Sequence, residues 1–188
     1  MSTDTKSAVL DSAERIARAC GFDGFSYADL AEEVGIRKAS IHHHFPTKAA
    51  LAVTLMQRYH KTLDEACTHI VVTEVSGSAQ LRAVVDQYRS ALDGGKSLCL
   101  CVAFSTSRES LPADVITQIS RFRTMMITWL KEIFEAGKAD GTITLVGDPP
   151  MEAAAGLALM EGAQLAARAE ETPALFENAM QLLLQRCS

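Results

Sequence analysis

Residues 26–48 read SYADLAEEVGIRKASIHHHFPTK, and this stretch decides the fold. Ser26 followed by Asp29 is a capping-box variant in which the serine hydroxyl can take the Asp29 amide, so a helix starts here. Leu30, Ala31 and Val34 form its apolar side and Gly35 ends it. After a brief turn, Lys38 to Phe45 reads as a second short helix. Pro46 closes it, because the residue before a proline is pushed out of the helical region. Leu30, Val34, Ile36, Ile41 and Phe45 would pack the two helices together, which frees the opposite side of the second. That side carries Arg37, Lys38, Ser40, His42 and His43: cations, donors and imidazoles near a helix start, where amides also attract phosphate. Two short helices joined by a Gly-containing turn, with a helix before and after, make a helix-turn-helix suited to the major groove of DNA. Lys48 opens the following helix and could hold the flanking backbone.

Outward from the motif, the apolar spacing stays helical. Before it, Val9, Ala13, Ile16 and Cys20 recur every three or four residues and Gly21 follows as a stop. After it, Thr47 reads as the N-cap of a long helix with the stripe Leu51, Leu55, Tyr59, Leu63, Ala66 and Ile70. Residues 71–78 (VVTEVSGS) break the pattern. Leu81, Val84, Val85, Tyr88 and Leu92 predict a fifth helix, ended by Asp93-Gly94-Gly95. Residues 97–109 are a sixth helix, or a buried strand through LCLCVAF. Ile116, Ile119, Phe122, Met126, Trp129 and Ile133 mark a long helix from Ala113 to Ala136, and a Gly-rich turn from Gly137 to Gly147 precedes a final pair near 151–170 and 173–187. The expectation is an all-α chain of about nine helices. It divides into a DNA-binding domain at 1–46 (motif 26–45), a connecting helix at 47–70, and a sensing and dimerising domain at 71–188.

Composition narrows the function. The 188 residues are 48% hydrophobic and 22% charged, which is globular rather than disordered. No apolar run reaches the roughly 18 residues that a membrane span needs, and Met1 to Lys6 lack the apolar core of a secretory signal. Five scattered cysteines suit reduced thiols in a cytoplasm. A net charge of −5 argues against nucleic acid until it is located: residues 1–60 hold seven Lys/Arg and seven Asp/Glu with four of the five histidines, so all the excess acid lies further on.

The string Gly35-Ile36-Arg37-Lys38-Ala39-Ser40-Ile41-His42-His43-His44-Phe45-Pro46-Thr47-Lys48 closely resembles the signature of the tetracycline-repressor (TetR) family of bacterial regulators. Gly21 to Ala31 fit the same pattern, so the resemblance covers about residues 8–56. It implies a three-helix DNA-binding domain with operator contacts at the start of the third helix, and a larger domain that senses a ligand and dimerises. Carried over by position, it implies phosphate contacts at Ser26 and Tyr27, recognition-helix contacts at Lys38 and Ser40, and a phosphate lysine at Lys48. Two residues depart from the pattern. His42 replaces a frequent tyrosine, and Arg37 stands where a capping serine is common.

Other residues carry weaker expectations. His42, His43 and His44 invite a metal, but successive helical residues point about 100° apart and cannot converge on one ion, so no metal and no cofactor is expected. Cys99 and Cys101 are small buried hydrophobes or, alternatively, thiol sensors of oxidants and electrophiles. Cys99, Phe104, Phe122, Met126 and Trp129 could line a cavity for an unknown small-molecule effector. Ala155, Leu159, Ala163, Leu175, Ala179 and Leu183 mark the last two helices as a homodimer surface, which would supply the two recognition helices that a palindromic operator requires. No catalytic motif stands out. The reading is a cytoplasmic regulator, expected to be a repressor released by an inducer. A redox-sensing repressor is the alternative, and a helical small-molecule-binding protein or enzyme that never touches DNA is the rival from another class.

Overall fold

A computed structural model describes residues 2–188, with side chains from residue 5 onward. The reading of Met1 to Lys6 as lacking a secretory signal falls in part on residues 1–4, which lie outside the described side chains. Among the described residues the chain is all-α, with nine α-helices and single 3-10 turns at Asp93–Gly95 and Arg108–Ser110. None of these helices is long and apolar enough to cross a membrane.

The chain forms two compact units. The first holds residues 1–60 and 100–122. It contains α1 (Ser2–Cys20), α2 (Tyr27–Val34), α3 (Lys38–His44), the start of α4 (Lys48–Thr73), α6 (Leu100–Ser105) and the start of α7 (Ala113–Ala139). Its core is built from Val9, Leu10, Ala13 and Ala17 of α1 with Leu30, Ile41, Phe45, Leu51 and Leu55, all buried. The first stripe therefore runs through Leu10 and Ala17, and Cys20, expected on it, is exposed at the helix end. Phe22 meets Phe104 of α6 edge-on at 5.8 Å. Arg58 of α4 ties α1 by bonds to Asp11 (2.5 Å) and Glu14 (2.6 Å).

The second unit holds residues 61–99 and 123–188, with α5 (Gly77–Ala91), α8 (Pro149–Ala169), α9 (Ala174–Leu184) and the remainders of α4 and α7. Helix α4 runs through Val71 and Val72 to Thr73, past the expected break at 71, because the Glu74 amide still finds the Ile70 carbonyl. Ser76 then caps α5 through the Ala79 amide. The ambiguous stretch at 97–109 holds the short helix α6 over Leu100–Ser105 and no strand, and its residues Leu100 to Phe104 are all buried. Helix α7 continues to Ala139 and takes in Gly137, expected in the turn. A glycine is required there: a Cβ on Gly137 would lie 2.4 Å from the Ile143 side chain, and one on Gly77 would lie 2.2 Å from the Gly137 nitrogen. Asp148 caps α8, with Pro149 and Pro150 in its first turn. Residues 142–144 and 186–188 pair antiparallel through Thr144 N to the Arg186 carbonyl (2.9 Å) and Ser188 N to the Thr142 carbonyl (3.0 Å).

Candidate nucleic-acid interface

The helix-turn-helix is locked from both ends by short-range chemistry. Ser26 accepts from the Ala28 and Asp29 amides, and in return the Ser26 amide donates to Asp29 Oδ2 at 2.7 Å. The two bonds to Ser26 hold the Asp29 carboxyl below the usual carboxylate range. Gly35 ends α2 with φ +72°, where a side chain would be strained, and the chain turns directly into α3. Arg37 occupies the cap position of α3 and makes no side-chain cap bond, so α3 starts without the usual serine. Thr47 caps α4 by accepting from the Ala50 amide at 3.1 Å.

The residues expected to meet DNA divide into two sets. Arg37, Lys38, His42 and His43 are exposed on α3, with Ser40 half-exposed among them. Neither Arg37 nor Lys38 pairs with a carboxylate among the described residues, whereas Arg15 and Arg58 of the same unit are occupied by Glu33, Asp11 and Glu14. An open groove along α3 is lined by Ile36, Arg37, Ala39, Ser40, His43 and His44, joined by Thr5 of α1. Thr5 carried no signal in the sequence, because it lies outside the motif and reaches the groove only through the packing of α1.

Tyr27 and Lys48 have internal partners. Tyr27 is buried, donates its hydroxyl to the Phe45 carbonyl at 2.8 Å, and burial pushes its phenol up to about 12. Lys48 donates to the Phe25 carbonyl at 2.6 Å, with its ammonium 4.7 Å and 4.4 Å from the centroids of Phe22 and Phe25. Burial pulls the ammonium below its ordinary value, against the opposing pull of Asp23 and Asp29. It still has two N–H donors to offer. Of the three consecutive histidines, His44 leans on Phe45 at 6.4 Å, and no metal-binding cluster occurs among the described residues.

A family profile described as "Bacterial regulatory proteins, tetR family" matches residues 9–55, which span α1, α2, α3 and the start of α4. A solved TetR-family regulator from Agrobacterium tumefaciens superposes over 100% of both chains with a TM-score of 0.94 and 28% identity. Over residues 9–55 the chain is similar to the DNA-binding region of the tetR family. The likeness is to DNA-binding regulators of transcription. The chain is also 26% identical to the repressor NemR of Escherichia coli K12 over 94% of this chain and 90% of that one. The crystal structure of E. coli NemR in its reduced form has the same fold, with a TM-score of 0.84 over 98% and 97% of the two chains.

The residues expected to line an effector cavity fall in different units. Phe104 and Phe122 belong to the first, where Phe104 meets Phe22 at 5.8 Å and Phe122 meets Tyr59 at 5.4 Å. Cys99, Met126 and Trp129 belong to the second. Cys99 is buried and its amide donates to Gln164, which in turn donates to the Tyr88 carbonyl. The Trp129 indole donates to Asp64 at 2.8 Å. Cys101 is fully buried on α6. Of the expected self-association residues, Ala155 is exposed and Leu159, Leu175 and Ala179 are half-buried. Ala163 and Leu183 correct the expected phase: both are buried within this chain, because α8 and α9 pack on each other through those rows. The outward row runs instead through Ala155, Ala158, Gly162, Leu165 and Ala166, with Leu182 on α9.

Proposed function

We propose that this chain is a transcriptional repressor that binds a palindromic operator as a homodimer and is released by a small-molecule inducer. The observation that carries the DNA reading is the outer side of α3, where Arg37 and Lys38 are exposed and unpaired beside Ser40, His42 and His43 on a buried apolar support. Cations held free in this way are the electrostatic footprint of a phosphate-binding surface. Ser26 and Lys48 flank it, and Tyr27 acts by holding the Phe45 carbonyl beneath. In this reading residues 1–46 bind DNA, the helix at 47–70 connects, and residues 71–188 sense and dimerise.

Self-association would use the outward row of α8 and α9, whose small residues and 65%-exposed Leu182 leave an apolar face uncovered. Inducer release follows from linkage: a ligand that fits better where the recognition helices are wrongly spaced must weaken operator affinity. Cys99, Met126 and Trp129 are the proposed effector contacts in the second unit. The deep burial of Cys99 and Cys101 favours the inducer over thiol sensing, since a sensor thiol needs access. The test is binding of the purified protein to promoter DNA beside its own gene, at fixed salt, against a scrambled duplex. Specific binding by two copies per site is expected, and equal affinity for both duplexes refutes the proposal. A Cys99→Ser/Cys101→Ser variant should keep its response to inducer.

A further inference from the structure

The His42 ring is held on two sides, and this dictates what it offers to DNA. Its Nδ1 lies 3.4 Å from the Pro46 carbonyl, and its ring meets the edge of Tyr27 at 4.8 Å. Tyr27 is itself pinned to the Phe45 carbonyl at 2.8 Å. A carbonyl can only accept, so a hydrogen bond here puts the proton on Nδ1 and leaves Nε2 of the neutral imidazole as an acceptor. Phosphate and deoxyribose offer no hydrogen-bond donor. In the major groove the donors are the amino groups of adenine N6 and cytosine N4.

We propose that neutral His42 reads an amino-bearing base, adenine or cytosine, in each operator half-site, and that protonation turns it toward guanine. The inference rests on the reading that α3 enters the major groove. On protonation, Nε2 gains a proton from solvent while Nδ1–H keeps its bond to Pro46. Nε2 then becomes a donor, matching guanine N7 and O6 and repelling an amino group. Tyr27 is the titratable group in contact with the ring, and it stays neutral because burial pushes its phenol up to about 12. Asp29 of α2 is engaged by Ser26 and Lys48 of α4 by Phe25, while Lys38 and His43 on α3 itself make no hydrogen bond or ring contact with it.

The full-length protein should be used to select sites from a random duplex library at about pH 8 and about pH 5.5, at one salt concentration. Wild type should prefer adenine or cytosine over guanine at one position per half-site, by about three- to tenfold at the higher pH, as for a single hydrogen bond. That preference should collapse or invert at the lower pH. His42→Gln, which cannot titrate, should give one preference at both, and His43→Gln should keep the shift. Uniform strengthening on all sequences as pH falls, with base preference unchanged, would identify a phosphate contact and overturn the proposal. So would a shift that survives in His42→Gln. A library with no enriched site at either pH refutes the DNA reading itself, and the proposal falls with it.

Discussion

Residues 26–48 and helix α8 both place polar side chains against the backbone, but α8 also buries one carboxylate that the backbone does not reach. In the helix-turn-helix each such group meets the backbone: Ser26 takes two amides, and Tyr27 and Lys48 each find a carbonyl. On α8, Glu152 is treated the same way. Its Oε1 accepts from the Val146 (2.7 Å) and Gly147 (2.8 Å) amides, and its other oxygen meets Arg186. Burial pushes that carboxyl up, but the two amides and Arg186 together outweigh burial, and it lies below its ordinary value. Glu161, nine residues later, has Arg123 on Oε2 and no hydrogen-bond partner on its buried Oε1. Burial pushes it above the ordinary carboxylate value although Arg123 opposes this. An arginine alone does not settle a buried carboxylate here, and backbone amides make the difference.

The sharpest way to break this comparison is Glu152→Ala. It strands two amides and a guanidinium and should cost about 3–5 kcal/mol in urea denaturation, as for a buried pair broken from one side. Glu161→Ala should cost clearly less, and equal losses would erase the distinction between the two sites. Next in size is Lys48→Ala, which removes a charged hydrogen bond and two ring contacts and should destabilise by about 1–3 kcal/mol. Under the proposed phosphate contact it also makes the salt dependence of DNA binding shallower by about one unit. Lost stability with an unchanged slope would leave Lys48 as an internal fastening only.

Ser26→Ala removes the α2 cap and should cost about 1 kcal/mol. Because Asp29 is held below its usual value, the stability it contributes is present at neutral pH and lost as pH falls through its folded pKa. Denaturation of Ser26→Ala against pH should therefore be flatter on the acid side than that of wild type. The smallest effect is expected of Glu161→Gln. A raised folded pKa means that the contribution of Glu161 is fully present below its unfolded value and lost as pH rises through the folded one. The stability difference between variant and wild type should grow in favour of the glutamine from acid to neutral pH. A difference independent of pH would show that folding leaves the Glu161 carboxyl unshifted.

Much of the first region was legible because its chemistry is local. The Ser26–Asp29 box, the Gly35 stop, Pro46 and the Thr47 cap each act within four residues, so spacing alone locates them. The α8–α9 surface was legible only in kind. A row of alanines repeats on several faces of a helix at once, so it names no inward side. Ala163 and Leu183 turn inward because α8 and α9 meet there, with the Leu183 side chain 3.9 Å from where a Cβ on Gly156 would stand. The cavity residues are a related case: helical spacing marks Phe122 and Met126 as buried but does not say which unit each one enters.

The sequence by itself determined an all-α chain, the Ser26 and Thr47 caps, the helix-turn-helix and the cationic face of α3, because periodicity and capping depend on neighbours along the chain. Tertiary structure alone decided that Lys48 and Tyr27 bond to Phe25 and Phe45, that Gly77 and Gly137 must lack side chains, and that the His42 ring lies beside the Pro46 carbonyl and Tyr27. Each of those is set by an atom brought close by packing. Hydrogen bonds and steric contacts act over about 3–4 Å in space, whatever the separation along the chain.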